Sequence, residues 1–490
     1  MTSSKSTKRA LLTSALALLM CVAMLIGTTF AWFTDTASTG VNKIVSGNLK
    51  VDIIGANSDS HIEKLNFTKA ATTDAEAGAE ILWEPGCRYL TEGFRIANKG
   101  NLALKWKAQV NTGTTTANEG NFDLLDVIDF YLVTKAADGT ETETALDEFT
   151  GNLKKTETSD VYYIKGVMQT TAGNDYQGLT LDGIGITVVA TQATYENDSF
   201  NNQYDKDAEY PILVTTGDEL QAIVSNATAP VNIVLTNSIT TNNFVIPADK
   251  DVTLDLNGRT VTNAGSHTIL NKGHLTLTDS SADKSGQIIS LKGNTAALRN
   301  GDNAVCVVEG GTISRDGDNG NTWHVVENFG KMTFNGGKVV LKNGNGFAIT
   351  NGWNYFDPGA STTHAVMEIN ALELDTDSSG IKNCRYGDLT VNDVTVTSTG
   401  YWALSNDYLG TAVINGGTLT SNSFKAVSNG AAMTVNGGTF DGTAGFFVQS
   451  YATSTVLNGG TFANMNVAAL SSYVGTGHTA QQSGTSVIIK

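Results

Sequence analysis

The fold is decided by a short motif that occurs twice, as MTVNGGTF at residues 433–440 and as TVLNGGTF at residues 455–462. In each copy a short apolar, strand-like run ends at an Asn, and two glycines follow. Asn tolerates the left-handed bend that ends a short strand, and glycine forms the next bend without the steric cost of a Cβ atom. The motif therefore predicts short strands joined by tight turns and repeated at a fixed interval.

The same Asn recurs through the C-terminal half of the chain in two series. The members of the first Asn series each end an apolar run, and they are Asn335, Asn370, Asn392, Asn415, Asn436 and Asn458. The second Asn series closes another set of apolar segments and consists of Asn328, Asn351, Asn383, Asn406 and Asn429. Both series repeat at about 22 residues over most of their length. Two series that keep one phase predict a parallel β-helix, in which equivalent positions stack about 4.8 Å apart.

Stacked side-chain amides can donate to a copy on one neighbouring coil and accept from a copy on the other. We therefore expect both Asn series to form structural ladders. On this expectation Asn415→Leu leaves buried amide partners unpaired and costs about 1–3 kcal/mol.

The β-helix is predicted to occupy residues 209–490. Residues 217–225 (GDELQAIVS) show helical spacing of apolar positions, and such a helix would cover the open end of the first coil. The run DVTLDLNG at residues 251–258, together with the repeated NGGTF, resembles pectate-lyase-like β-helix domains of bacterial surface proteins. That resemblance implies a right-handed parallel β-helix and indicates fold far better than function.

The N-terminus has the pattern of an export signal. Basic residues lie within residues 5–9, an uncharged run covers residues 10–27, and Thr29 and Ala31 are the small residues that a signal peptidase reads. Residues 1–31 are therefore predicted to be a signal peptide that is cleaved between Ala31 and Trp32. An uncleaved anchor is the alternative, because a run of about 18 apolar residues can barely span a bilayer.

Three further segments carry a family resemblance. They read LIGTTFAWFTDTASTGVNKIVSGNLKVDI at residues 25–53, WEPGCRYLTEGFRIANKGNLALKWKAQV at 83–110 and AGNDYQGLTLDGIGITVVATQATYENDSF at 172–200. In this order they resemble the TasA/camelysin family, which a SipW-type signal peptidase processes. The resemblance implies a jelly-roll-like β-sandwich over residues 32–208, secretion to the cell surface or extracellular matrix of a Gram-positive bacterium and, as in some relatives, self-assembly into fibres. Short alternating runs such as residues 103–110 favour a sandwich independently.

The composition excludes several classes of partner and site. The net charge is −17, which argues against nucleic acid or an anionic membrane surface as partner. Outside the leader the cysteines are Cys87, Cys306 and Cys384, an odd number without disulfide or metal-ligand spacing. No two histidines stand at i, i+4, so a zincin site is excluded.

Some parallel β-helices are polysaccharide lyases or hydrolases, so an enzyme remains an alternative. Those reactions need clustered carboxylates, and acids are sparse in the regular coils. We therefore assign no catalytic residue, no metal site and no cofactor, and we expect the protein not to be an enzyme. Calcium stays an alternative at residues 316–320 (DGDNG) and 375–380 (DTDSSG), which resemble the start of a calcium loop but lack its Glu at the twelfth position.

Aromatic residues stand one to three residues after the second-series positions, with Ser450 in the Asn position of the last coil, at Phe329, Trp353, Tyr386, Tyr408 and Tyr451. An insertion at residues 352–362 (GWNYFDPGAST) adds Tyr355 and Phe356 to the same region. Since equal phase in a solenoid means one face, the candidate carbohydrate-binding residues are Trp353, Tyr355, Phe356, Tyr386 and Tyr408. The alternative is that some of these rings fill the core or cover the corners of the coils. Exposed rings would bind sugar, and their truncation would leave stability nearly unchanged.

Taken together, these patterns predict a secreted, adhesin-like protein of the cell surface or biofilm matrix, whose β-helix displays a carbohydrate- or surface-binding face. Two alternatives remain at this point. One is a polysaccharide-degrading β-helix enzyme, and the other is a fibre-forming matrix subunit.

Overall fold

The computed structural model describes residues 48–62, 65–68, 81, 83–111, 114–115, 122–145, 149–182, 185–193, 209–263, 265–316, 323–344, 346–354, 357–359 and 363–490. The expected cleavage site at Ala31 and Trp32 lies outside the described residues, as do Tyr355 and Phe356. Across the described ranges the fold is almost entirely β, as the sequence predicts, and none of their helices is long and apolar enough to cross a membrane.

The N-terminal part consists of antiparallel sheets. The largest contains β1 (Val51–Gly55), β4 (Phe94–Asn98), β10 (Tyr162–Met168), β3 (Arg88–Thr91), β2 (Phe67–Thr68), β7 (Ile128–Lys135) and β8 (Glu141–Ala145). Another sheet contains β12 (Gly185–Gln192), β5 (Leu104–Asn111) and β9 (Phe149–Leu153), and a short pair contains β6 (Thr114–Thr115) and β11 (Leu181–Asp182). Short 3-10 turns occupy Leu124–Asp126 and Asn174–Tyr176.

The two larger antiparallel sheets share one apolar core. Trp106 on β5 is 1 % exposed, and its ring lies 5.5 Å from Phe149 of the same sheet and 6.2 Å from Tyr162 of the other sheet. Phe94 and Ile164 of the larger sheet complete this cluster and are fully buried. Because aromatic rings from both sheets meet edge to face, the packing is that of a β-sandwich.

The C-terminal part is a parallel β-helix with three sheets, and successive coils add strands to each. The first sheet contains β13 (Ile212–Val214), β14 (Val231–Leu235), β17 (Asp251–Asp255), β20 (His274–Thr278), β23 (Val305–Val308), β26 (Lys331–Phe334), β29 (Ala365–Ile369), β32 (Gly387–Val391), β35 (Thr411–Ile414), β38 (Ala432–Val435) and β41 (Ser454–Leu457).

The second sheet contains β15 (Ile239–Thr241), β18 (Thr260–Asn263), β21 (Gln287–Ser290), β24 (Thr312–Asp316), β27 (Lys338–Lys342), β30 (Glu373–Thr376), β33 (Thr395–Ser398), β36 (Thr418–Ser421), β39 (Thr439–Asp441), β42 (Gly460–Phe462), β44 (Ser486–Ile489) and β43 (Ala480–Ser483). The third sheet contains β16 (Phe244–Ile246), β19 (Ile269–Asn271), β22 (Leu298–Asn300), β25 (Val326–Asn328), β28 (Phe347–Asn351), β31 (Ser379–Asn383), β34 (Leu404–Asn406), β37 (Val427–Asn429) and β40 (Phe446–Val448).

Both ends of the β-helix core are closed. At the start, α1 (Gly217–Asn226) matches the predicted helix to within one residue, and its Leu220 and Val224 are fully buried in the core of the coils. At the other end, α2 (Val467–Leu470), a 3-10 turn at Ser471–Tyr473 and the β43–β44 hairpin follow the last coil, and β44 pairs antiparallel to β42. This second cap was not predicted from the sequence.

The second Asn series forms a buried ladder along the third sheet, and two upstream residues extend it. The ladder runs through Asn271, Asn300, Asn328, Asn351, Asn383, Asn406 and Asn429. Each Nδ2 donates to the Oδ1 of the next Asn along the chain, at 2.8 to 2.9 Å. The same amides also donate to backbone carbonyls, as Asn383 does to Gly387 and Thr411. These contacts satisfy polar groups that the core would otherwise bury unpaired.

The first Asn series also forms a ladder, but on the surface. Its Nδ2 groups donate to the preceding Asn, in the direction opposite to the buried ladder, at 2.7 to 3.0 Å. Asn415 is exposed, so the expectation that Asn415→Leu leaves buried partners unpaired is wrong. Both series close an apolar run in the sequence, but the first series stands in the turn after a strand of the first sheet, where its side chains face solvent.

Candidate functional site

One row of side chains runs along the outer face of the third sheet. In β28, Ile349 and Asn351 point inward and are fully buried, so Thr350 between them points outward. Equivalent positions in register on successive strands are Val245, Leu270, Arg299, Glu327, Thr350, Lys382, Ser405, Ser428 and Phe447. We call this set the outer row. From Arg299 to Ser428 every member is polar or charged.

The charged groups of the outer row are paired. Arg299 Nη1 lies 3.1 Å from Glu327 Oε2, and the Glu327 carboxylate is 4 % exposed. Burial raises the pKa of Glu327, although the nearby Arg299 guanidinium acts in the opposite direction. Further along, Lys382 Nζ lies 3.0 Å from Asp407 Oδ2. Of the polar members of the outer row, Glu327, Thr350 and Ser428 are buried, so the partly accessible groups are those of Arg299, Lys382 and Ser405.

Aromatic side chains border the outer row where the chain turns from the second sheet into the third. Lys382 Nζ lies 4.9 Å from the ring centre of Phe347, and Trp402 lies 6.2 Å from Phe447 at an angle of 26°. The Trp402 contact shows that a side chain from this turn reaches over the face of the third sheet. The border was not predicted, although Phe347 and Trp402 each precede a member of the second Asn series by four residues.

The densest part of this border is a cluster that we call the aromatic platform, formed by Tyr401, Trp402, Phe424, Lys425 and Phe447. Tyr401 stacks on Phe424 at 4.6 Å and 21° and is 52 % exposed, so one face of its ring is open to solvent. Trp402 meets Phe424 edge to face at 4.5 Å. Lys425 Nζ lies 3.6 Å from the ring centre of Phe447. An exposed ring held by such stacking is a preorganised surface for an apolar ring face.

The opposite border contains the aromatic row that the sequence predicts, and two of its rings are not available to a ligand. Trp353 is 4 % exposed and Tyr386 is 9 % exposed, and both pack on Ala365 beside Phe329. The Tyr386 hydroxyl lies 3.2 Å from Asp357 Oδ1. The expectation that these two rings lie exposed on a binding face is therefore wrong, because the chain at this corner folds back over the start of β29.

Two other members of the predicted row are exposed. Tyr408 is 49 % exposed and Tyr451 is 53 % exposed. In the last coils the outer row therefore lies between the aromatic platform on one side and these two tyrosines on the other. Constant phase in the sequence identified the correct corner, but phase alone does not distinguish a ring that folds inward from one that faces solvent.

In the second calcium candidate, one oxygen of each Asp carboxylate contacts a protein group. Asp375 Oδ2 lies 2.9 Å from Lys342 Nζ, and Asp377 Oδ2 accepts a hydrogen bond from the backbone N–H of Asn343 at 2.6 Å. Of the first candidate, residues 317–320 lie outside the described residues. Within the described ranges, no three His, Cys, Asp or Glu side chains come together as a metal site.

This face combines exposed aromatic rings with hydrogen-bonding side chains. A sugar ring presents an apolar face that stacks on aromatic rings and a rim of hydroxyls that need hydrogen-bond partners. The platform supplies the rings, and Lys382, Ser405 and Asp407 supply polar groups beside them. No protein-family model matches the chain, and no curated protein matches it either. The inference of function therefore rests on this geometry and on the sequence.

Proposed function

We propose that the protein is a secreted, adhesin-like component of a bacterial surface or biofilm matrix, and that it binds polysaccharide through the outer row and the aromatic platform. The observation that carries this proposal is the open face of Tyr401, stacked on Phe424 and standing beside the polar outer row. A soluble protein rarely exposes stacked aromatic rings together with fixed polar groups unless that surface has a partner.

The surface location rests on the sequence. The basic residues, the apolar run and the small residues at Thr29 and Ala31 together favour export. The resemblance of residues 25–53 to TasA/camelysin leaders favours processing by a SipW-type signal peptidase. Few cysteines and a parallel β-helix fit an exported protein that is held together by packing rather than by disulfides.

An enzyme that cleaves polysaccharide is the second candidate, and one observation favours it. Glu327 is a buried carboxyl on the outer row with a raised pKa, which is the property of a general acid. A glycosidase needs a second carboxyl group about 5 to 9.5 Å away. Asp407 lies at the end of β34, three strand steps from β25, which corresponds to about 14 Å. This separation, and the pairing of Glu327 with Arg299, favour binding without cleavage.

A glycan array that is read for both binding and cleavage tests the proposal. We expect retention of one class of polysaccharide without release of shorter products. Tyr401→Ala should weaken that binding at least about 5-fold, since stacking contacts of this kind contribute about 1 kcal/mol or more.

Leu291→Ala is the matched control. Leu291 is 63 % exposed and lies at the equivalent turn after β21, four strand steps, or about 19 Å, from the platform. The control should bind like the unmodified protein. Equal binding by both variants, or cleavage of the glycan, would contradict the proposed function.

A further inference from the structure

We infer that the polysaccharide bound at the aromatic platform is acidic, and that Lys425 recognises its negatively charged group, a carboxylate or a sulfate. This inference rests on the proposed function and names the class of glycan that the site takes. It starts from the position of one ammonium group among three aromatic rings.

Lys425 is held by aromatic rings. Its Nζ lies 3.6 Å from the ring centre of Phe447, 5.6 Å from that of Phe424 and 5.7 Å from that of Trp402. Contacts of an ammonium group with ring faces fix its position, but they leave its positive charge without a counter-ion. The side chain is therefore positioned before any ligand arrives.

Several other lysines of the β-helix pair with carboxylates. Lys338 pairs with Glu373 on the neighbouring strand, and Lys382 lies 3.0 Å from Asp407. Within the part of the chain that the structure describes, Lys425 has no carboxylate oxygen within 4.0 Å. Lys425 is thus a positioned cation at the place where a ligand would supply the anion.

The platform also defines where that anion would lie. A sugar ring stacked on the open face of Tyr401 is separated from Phe424 by the Tyr401 ring, and Phe424 lies 4.6 Å from Tyr401 and 5.6 Å from Lys425 Nζ. The two distances together are longer than one sugar unit, so the acidic substituent that reaches the ammonium group is on a neighbouring sugar of the same polymer and not on the stacked ring. A neutral glycan could stack in the same way but would leave the cation unpaired, and the site would discriminate against it.

Because the protein is acidic overall, a preference for acidic over neutral polysaccharide would indicate a specific local contact. At −17 the chain repels polyanions in general, so attraction to an acidic glycan requires a specific local contact. At physiological ionic strength the repulsion is screened beyond about 8 Å, whereas a contact pair on the platform is not. Binding of an acidic polymer would therefore not be simple ion exchange.

The test uses dextran, carboxymethyl dextran and dextran sulfate, which share one backbone and differ in charge. We expect the full-length protein to bind at least one acidic polymer about 10-fold more tightly than dextran. Lys425→Met removes the charge and keeps an apolar side chain, and it should abolish this preference, whereas Lys425→Arg should retain most of it. Lys331→Met is the control, because Lys331 is an exposed lysine on the first sheet, away from the platform.

The arms of the experiment separate the outcomes. A preference for carboxymethyl dextran identifies a carboxylate ligand, and a preference for dextran sulfate identifies a sulfate. Equal binding of all three polymers, or an undiminished preference in Lys425→Met, overturns the inference. If the protein binds only neutral glycans on an array and Tyr401→Ala weakens that binding, the inference fails while the proposed function stands. If it binds no glycan of any kind, both fail.

Discussion

Replacing one Asn of the buried ladder should destabilise the β-helix far more than replacing its exposed counterpart on the same coil. Asn406→Leu and Asn415→Leu are the matched pair, because both remove one amide and insert a side chain of similar size. Asn406 is 1 % exposed, and its Nδ2 donates to Asn429 Oδ1 at 2.9 Å and to the carbonyl of Ala432 at 2.8 Å. Its Oδ1 accepts from Asn383 Nδ2 at 2.8 Å.

The expected loss of stability follows from the hydrogen-bonding groups that the substitution leaves without a partner. Asn406→Leu deprives Asn383 Nδ2, Asn429 Oδ1 and the Ala432 carbonyl of a partner, but the two amides keep other hydrogen bonds inside the core. Each buried group that loses a partner costs about 1–3 kcal/mol, and since the loss at two of the three groups is partial, we expect a total of about 3–5 kcal/mol. Asn415→Leu should cost less than about 1 kcal/mol, because water replaces its exposed contacts with Asn392 and Asn436.

Urea unfolding followed by circular dichroism measures both variants under one set of conditions. The midpoint of Asn406→Leu should fall clearly below that of Asn415→Leu at an unchanged slope. Equal midpoints would refute the reasoning, because they would mean that burial of the ladder does not determine its contribution to stability.

Other expectations concern export, packing, pH and assembly. N-terminal sequencing of secreted protein should begin at Trp32, and a start more than two residues away contradicts the predicted cleavage after Ala31. Trp353→Ala should lower the free energy of unfolding by about 3–5 kcal/mol without a specific loss of glycan binding, because the ring is buried against Ala365; unchanged stability would disprove this packing role. Burial lowers the pKa of His324 from 6.5 to about 4, so the neutral imidazole stabilises the fold fully above pH 6.5, and the free energy of unfolding falls by about 2 kcal/mol between there and pH 5. In His324→Gln the urea midpoints at pH 7 and pH 5 should therefore differ less than in the unmodified protein. An equal difference in the two proteins would contradict this. If the protein forms filaments, deletion of residues 32–39 should abolish them in electron micrographs, since this short segment is suited to pair with a sheet edge of another copy, and unaltered filaments reject the idea.

The periodicity of the sequence predicted the architecture because each coil of the β-helix repeats the same short strands and turns. The Asn spacing and the strand-like runs specify parallel coils, and the amphipathic pattern of residues 217–225 specifies α1 almost to its last residue. Residues 124–133 have mixed periodicity, and the structure resolves them into a 3-10 turn at Leu124–Asp126 followed by β7. The C-terminal hairpin was missed because β43 and β44 lie after the last repeat and carry no member of either Asn series.

The candidate site was predictable only in part. Sequence phase placed Tyr408 at the correct corner of the coil, and its exposure agrees with the predicted strip. It could not show that Tyr386 turns inward, because that depends on a backbone turn with φ of +56° and on packing against Ala365. The aromatic platform was not predicted because Tyr401, Trp402 and Phe424 belong to the turn before the third sheet, whereas the predicted aromatic strip consists of residues that follow the Asn positions.

The C-terminal β43–β44 hairpin also determines how this end of the β-helix can contact another copy of the protein. A β-helix without a cap ends in a coil whose backbone N–H and C=O groups are unpaired. Those groups can pair with a parallel coil of another molecule, so β-helices can join end to end. Here β44 runs antiparallel to β42, and the outermost strand of the second sheet is the short polar run AQQS of β43. A second molecule that docks there meets a reversed, mostly exposed strand instead of an apolar coil. At the second sheet this tip therefore lacks the parallel edge that a further coil would need.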